Sequence, residues 1–274
     1  MRKQRKVRLS IFLVLAALLM LTVIFAQKLC PYDPNAQDIS QSLLPPGASH
    51  LAGTDRFGRD LFSRILAGLQ TSVLSALALV AIITVVGTVV GVLCGYFGGI
   101  LDGILMRISD ICLAFPGLVF AMAIAALLNG GLKNAVLALA LISWPKYARI
   151  ARSQTLSIKG SDYIKAARLA GGTPWKIITK HIFPNILGPV LVTAVLDIGT
   201  MLMELAGLSF LGLGAQPPTA ELGNMMSGGR SMLQTHPWVI LGPGIAIFIA
   251  VVIFNLLGDA VRDYLDPKNN TKKK

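Results

Sequence analysis

The amino-acid sequence predicts an all-α, polytopic membrane protein with six transmembrane helices, and three observations carry that prediction. Hydrophobic residues make up 54% of the chain, mean hydropathy is +0.68 and only 14% of residues are charged, far from a soluble globular composition. Six stretches, at about 9–26, 71–95, 111–128, 135–144 with flanks, 186–213 and 239–257, approach the ~20 apolar residues that a bilayer core demands. The third observation is where the cations fall. With the N-terminus inside, 19 of the 25 Lys and Arg lie on the inner side, against six outside (Lys28, Arg56, Arg59, Arg64, Lys133 and Arg230).

Residues 1–8, MRKQRKVR, form a basic cytoplasmic N-terminus. The first apolar stretch, 9–26, exceeds the roughly 7–15 residues of a signal-peptide core and no A-x-A-like site follows it, so an uncleaved anchor is expected. Residues 27–68 form an outer loop, turn-rich at Pro31, Pro34, Pro45, Pro46 and Gly47. Its second half, GTDRFGRDLFSRILAG, repeats Phe57, Leu61 and Ile65 every four residues. It also spaces Asp55/Arg59 and Asp60/Arg64 at i,i+4, which predicts an amphipathic helix at the outer interface. Residues 69–258 hold five further helices, with a cytoplasmic segment at 146–184, and 259–274 form a cytoplasmic tail. A second outer loop, 214–237, is long enough to cover or admit a solute. The net charge of +12 sets topology and contacts anionic lipid; nucleic acid is not expected as a partner. Cys30, Cys94 and Cys112 have no ligand-like spacing, and no catalytic or metal-ligating set is assigned.

The most distinctive stretch is 144–184, WPKYARIARSQTLSIKGSDYIKAARLAGGTPWKIITKHIFP, with eight Lys or Arg and one acid, Asp162. Such charge belongs in water at a membrane face. Ser161 is placed to cap a helix over 162–170 that stops at Gly171-Gly172, and Thr173-Pro174 to start a second. Tyr163, Ala166, Ala167 and Ala170 share one side of the first helix, while Lys165 and Arg168 face elsewhere. A strip of alanines lets another surface approach closely, which favours a docking element.

Ionisable groups inside spans cost about 2.5–3.5 kcal/mol on insertion scales, so each is a functional candidate. In the fifth span Asp197 and Glu204 lie seven residues apart on nearly one face, with Met201 between them. Either they line a pathway for a cationic solute, or each carboxylate pairs with a donor on a neighbouring helix. In the third span Arg107 is placed to bridge Asp102 and Asp110; Asp259, Arg262 and Asp263 are expected at the membrane interface.

The spacing Ala166-Ala167-x3-Gly171, followed by Pro184, resembles the EAA loop of bacterial ABC importer permeases. GTDRFGRDLFSRI, WPKYARIAR, HIFPN, AGLSFLGLGAQPPTAE and NLLGDAVRDYLDP resemble the dipeptide/oligopeptide/nickel branch of that family, in its second, C-type permease subunit. The resemblance implies the type I importer fold and a bacterial inner-membrane location. As partners it implies a sister permease in a heterodimer, two ATPase subunits that bind ATP and Mg, and an extracytoplasmic solute-binding protein. It implies ATPase coupling through the loop bearing Tyr163, Ala166, Ala167, Ala170, Gly171 and Pro184. Lys165 departs from the pattern, standing where the family has Glu.

The chain has no G-x-x-x-x-G-K-[ST] motif, so ATP hydrolysis is assigned to partner chains; this polypeptide is expected to be no enzyme and to hold no cofactor. For the solute, LDIGTMLMELAGLSFLGLG with PTAE is closer to nickel-type members, with short peptides as the alternative. His50, His181 and His236 all lie at span edges, so a metal is expected to pass chelated. A stand-alone secondary transporter would show inverted repeats, and no such repeat is visible.

Overall fold

The computed structural model describes residues 2–265; most of the expected tail lies outside them. The elements are α1 (Arg2–Ile24), α2 (Ala26–Leu29), α3 (Leu61–Phe97), α4 (Gly99–Ala114), α5 (Gly117–Leu127) and α6 (Leu132–Lys159). They continue with α7 (Asp162–Leu169), α8 (Pro174–Ile177), α9 (Phe183–Phe210), α10 (Leu222–Gly229) and α11 (Trp238–Leu265). Among the described residues four helical stretches are long and apolar enough to cross a membrane: Gln4–Ile24, Leu61–Phe97, Pro174–Phe210 and Trp238–Leu265. The pair α4–α5 qualifies as a fifth, bent by 99°. Pro116 causes the bend, because it lacks a backbone N–H and drives Phe115 into extended geometry (φ −104°, ψ 151°). The third predicted span is therefore two helices rather than one. The sixth segment, α6, has 28 residues, but Lys146, Arg149 and Arg152 make its second half too polar to count by composition.

Two further expectations are corrected. The predicted amphipathic helix over 53–68 forms only from Leu61, as the start of α3. Residues 53–60 are a loop, because the Asp55 carboxylate accepts from the backbone N–H of Phe57 (2.8 Å) and Arg59 (3.1 Å), an Asx-type turn that outcompetes the helix. Asp60 then caps α3, accepting from Ser63 N at 2.7 Å. It does not pair with Arg64, whose guanidinium lies 3.7 Å from Asp55 instead. The second correction concerns Trp144–Lys146, which marks no boundary: α6 runs straight through Pro145 and carries Lys146 at its midpoint.

The closest packing joins α3 to α6. Gly87, Gly91 and Gly95 recur every four residues on α3, and a Cβ at any of them would strike α6: Tyr147 Cβ and Trp144 O at Gly87, Ala151 Cβ at Gly91, Thr155 Cβ at Gly95. Small residues at i,i+4 let two backbones approach in a membrane, where helix association rests on close packing. The main core gathers Val73, Leu79, Ile83, Leu139, Leu202 and Phe254 from α3, α6, α9 and α11. A second cluster, with Val92, Tyr96, Ala151, Ile164, Ile177 and Ile182, sits where α3 and α6 end and α9 begins.

The bundle thus has two distinguishable ends. One, the platform end, carries α7 and α8; α1 begins and α11 finishes there, with Arg8 3.7 Å from Asp263. The other, the cap end, holds residues 31–64 and 214–237 over the starts of α3 and α11.

Candidate functional site

The platform is built from the tips of three long helices. Ile164 of α7 is wholly buried and packs with Ile177, Ile178 and Ile182, the one buried side chain of the helix. Tyr163, Ala166 and Ala170 are exposed and Ala167 is half-buried, so the predicted strip does face outward. Leu169 (90% exposed) and Trp175 (63%) extend it into an apolar patch, an arrangement that marks a contact surface when rimmed by charge. Helix α7 ends because Gly171 takes φ +78°, a conformation costly for any residue with a Cβ, and Gly172 N then bonds Ala167 O at 3.0 Å. Thr173 caps α8 as expected, accepting from Lys176 N at 3.4 Å. Ser161 occupies the N-cap position of α7 but does not cap it: its hydroxyl donates backwards to Ile158 O at 2.6 Å.

Pro184 lies in the first turn of α9, directly after a π-turn over Ile178–Ile182. Its missing N–H leaves no donor for the i−4 carbonyl there, which suits that wider turn. Asn185 Nδ2 donates to the Tyr163 hydroxyl at 3.3 Å, tying α7 to α9. Arg168 and Lys159 lie 5.5 and 5.7 Å from the Tyr96 ring centroid, cation–π contacts that fasten the platform to α3. Among the described residues Lys165 pairs only with Asp162, at 3.0 Å and in solvent.

Midway along the bundle, Asp197 is buried. Its Oδ1 accepts from Lys146 Nζ at 2.6 Å and its Oδ2 from the Tyr147 hydroxyl at 2.9 Å. Met201 is buried too, whereas Glu204 is half-buried and receives no side-chain hydrogen bond among the described residues. The three candidates are thus one paired acid, one core methionine and one partly open acid. Arg107 bridges neither acid of α4. Asp102 receives both Nε and Nη2 of Arg152, at 2.6 and 2.7 Å, and Asp110 pairs with Arg149. Lys146, Arg149 and Arg152 recur every three residues on α6, and this stripe ties α6 to α9 and α4.

The cap end is organised by buried polar groups. Glu221, 1% exposed, accepts from the Ser72 hydroxyl (2.9 Å), Gly223 N (3.1 Å) and Asn224 N (2.8 Å), capping α10 and joining it to α3. Arg64 donates to Pro34 O at 2.8 Å, and His50 bonds Asp60 at 2.9 Å and Gln41 at 2.7 Å. The Cys30 thiol donates to Ala26 O at 3.1 Å, and burial raises its pKa above the ordinary thiol value. Sequence reasoning finds GTDRFGRD and PTAE as motifs but not that Arg64 links them, lying 3.7 Å from Asp55 and donating to Pro218 O at 3.5 Å; the glycine triad on α3 also escapes a reading based on hydropathy.

Residues 87–271 match the family model described as "Binding-protein-dependent transport system inner membrane component". The chain is 46% identical over 260 residues to the probable D,D-dipeptide transport system permease protein DdpC of Escherichia coli strain K12, covering 95% of this chain and 87% of that protein. It is 41% identical over 255 residues to the nickel transport system permease protein NikC of the same strain, covering 93% and 92%. Its fold matches an inward-facing structure of the MetNI methionine ABC transporter with a TM-score of 0.59 at 21% identity, over 73% of this chain and 96% of that one.

Proposed function

This chain belongs to the binding-protein-dependent transport system inner membrane component family, in the dipeptide and nickel branch of ABC importer permeases, and from that premise we propose how it works. It is a multi-pass permease subunit of the inner membrane. Its platform docks on one of two cytoplasmic ATPase subunits, which bind ATP and Mg, and its cap receives an extracytoplasmic solute-binding protein. A sister permease completes the pathway as a heterodimer. The solute is a short peptide or a chelated metal. The platform end then lies in the cytoplasm; α1 beginning there and α11 finishing there support an N-in, C-in topology.

The observation that carries the coupling role is α7 itself. It is pegged into the chain by buried Ile164 and offers Tyr163, Ala166, Ala170 and Leu169 to solvent, with α6 leading in and α9 leading out. When ATP draws the ATPase subunits together, α7 moves with them and α6 and α9 tilt. ATP must bind the outward-open assembly more tightly for this to work, because a ligand shifts an equilibrium only by its differential affinity. Of the pathway candidates on α9, Asp197 and Met201 are buried and Glu204 is the acid still open, which supports reading α9 as a wall of the pathway.

Ala166→Arg tests the docking role. Ala166 is exposed, so an arginine there leaves this chain's own packing intact. In the complete importer in proteoliposomes, ATP hydrolysis stimulated by the loaded binding protein is expected to fall to the basal rate, with normal insertion of the variant. Stimulation at the parent level would refute docking through α7.

A further inference from the structure

If α9 lines the pathway, as proposed above, Asp197 is not the group a solute meets there. Its side chain is 5% exposed and both oxygens are occupied, by the Lys146 ammonium and the Tyr147 hydroxyl. Lys146 is the open member of the pair. Its side chain is 50% exposed, and of its three N–H donors only one meets an acceptor among the described residues. Both residues lie at the midpoints of 28-residue helices, about 20 Å from either end at a rise of ~1.5 Å per residue. A half-exposed ammonium where the apolar first half of α6 gives way to its charged second half is disfavoured against acyl chains, so its open side is assigned to water or an aqueous pathway.

We propose that Lys146 is the charge this chain presents to the solute midway along the bundle, a specificity-determining ammonium that repels bare dications and favours solutes carrying a free carboxylate. Asp197 acts as a positioning residue: buried and held from behind by Tyr147, it keeps the ammonium from snorkelling toward an end of the helix. Two N–H donors remain for a carboxylate, and charge-assisted bonds of this kind are about twice as strong as neutral ones. Glu204, two turns nearer the cap end, offers the complementary charge to the ammonium of a zwitterion.

The test reads the local potential without needing to know the solute. In the complete importer, with Cys30, Cys94 and Cys112 replaced by Ser, Thr200→Cys places a thiol at an exposed position one turn from Asp197. Its reaction rate with anionic sulfonatoethyl methanethiosulfonate is divided by that with the cationic trimethylammonium-ethyl reagent, each normalised to free cysteine. The ratio is expected to favour the anion, to fall about tenfold in Lys146→Met, the lower end of electrostatic focusing effects, and to persist in Lys146→Arg. The exchange Lys146→Asp with Asp197→Lys preserves the ion pair but reverses its exposed partner, so the preference should invert. A purely structural pair predicts no inversion. Should Lys146→Met fail to assemble, the Arg and exchanged variants decide. Labelling with an unchanged ratio in the exchanged variant overturns the role of Lys146 and leaves the pathway assignment of α9 standing. Absence of labelling by either reagent, with and without ATP, overturns both.

Discussion

The two ends of this bundle are held by opposite means. The cap end is joined by directional bonds between buried polar groups: Glu221 to Ser72 and the start of α10, Asp60 to His50 and the start of α3, Arg64 to Pro34. The platform end rests on Ile164, Ile177, Ile178, Ile182 and Ile186 against Val92 and Tyr96, and most of its polar groups face water. Buried hydrogen bonds fix one geometry, because a displaced donor or acceptor is left unsatisfied at about 1–3 kcal/mol. Apolar contacts have no direction and tolerate a change of angle at little cost. The cap is therefore the more rigid end, and the platform the end that can change angle while remaining attached.

The largest effect expected from this contrast is at Glu221. Replacing it with Leu strands the Ser72 hydroxyl and the N–H groups of Gly223 and Asn224 within the cap. Roughly 1–3 kcal/mol for each stranded donor makes this a severe lesion. Thermal unfolding of the detergent-solubilised complex should shift strongly downward. Glu221→Gln should recover part of that loss, since its amide oxygen still accepts. Equal stability of Glu221→Leu and the parent would mean that the cap is not held by its polar network.

Ile164→Ala is expected next. Removing a fully buried Ile costs about 2–5 kcal/mol in a close-packed core, but here the loss falls on the platform alone. Residues 160–184 should become more sensitive to protease while the unfolding midpoint of the bundle changes less than in Glu221→Leu. Stimulated ATPase activity should drop through loss of leverage. Should the whole bundle unfold with the platform, the two ends are one cooperative unit and the contrast fails.

The same contrast explains what the sequence discloses. Long apolar runs with few charges are legible from composition, so α3, α9 and α11 fall where hydropathy places them. The break at Pro116 is hidden within an apolar run, because hydropathy is blind to the proline that bends it. At 53–60 the helical period is real, yet Asp55 spends its carboxylate on its neighbours' backbone instead. Lys146 looks like a residue for water only because its partner lies 51 positions away, on α9. Local pattern shows what a residue prefers; it does not show which long-range partner overrides that preference. Within the platform the turn at Gly171 and the cap at Thr173 are legible because they rest on contacts within a few residues, whereas the Ser161 hydroxyl turns back to Ile158.

The smallest effect tests the one departure within the platform. Lys165 stands where the resemblance to the EAA loop implies Glu, and its ammonium pairs with Asp162 in open solvent. Exposed pairs at this spacing contribute only a few tenths of a kcal/mol, and Lys165→Glu turns that weak attraction into a weak repulsion. The unfolding midpoint should therefore stay within about 0.5 kcal/mol of the parent, the usual range for surface changes. Coupling need not follow stability, because Lys165 and the alanine strip would both meet the partner in the docking proposed for α7. If the partner's surface is matched to a cation, Lys165→Glu lowers stimulated ATPase activity, and raising the ionic strength narrows the difference from the parent by screening both. If the strip alone makes the contact, Lys165→Glu is silent in both measurements while Ala166→Arg is not. That pair of variants separates the part of the platform that fits any such ATPase from the part that selects its own.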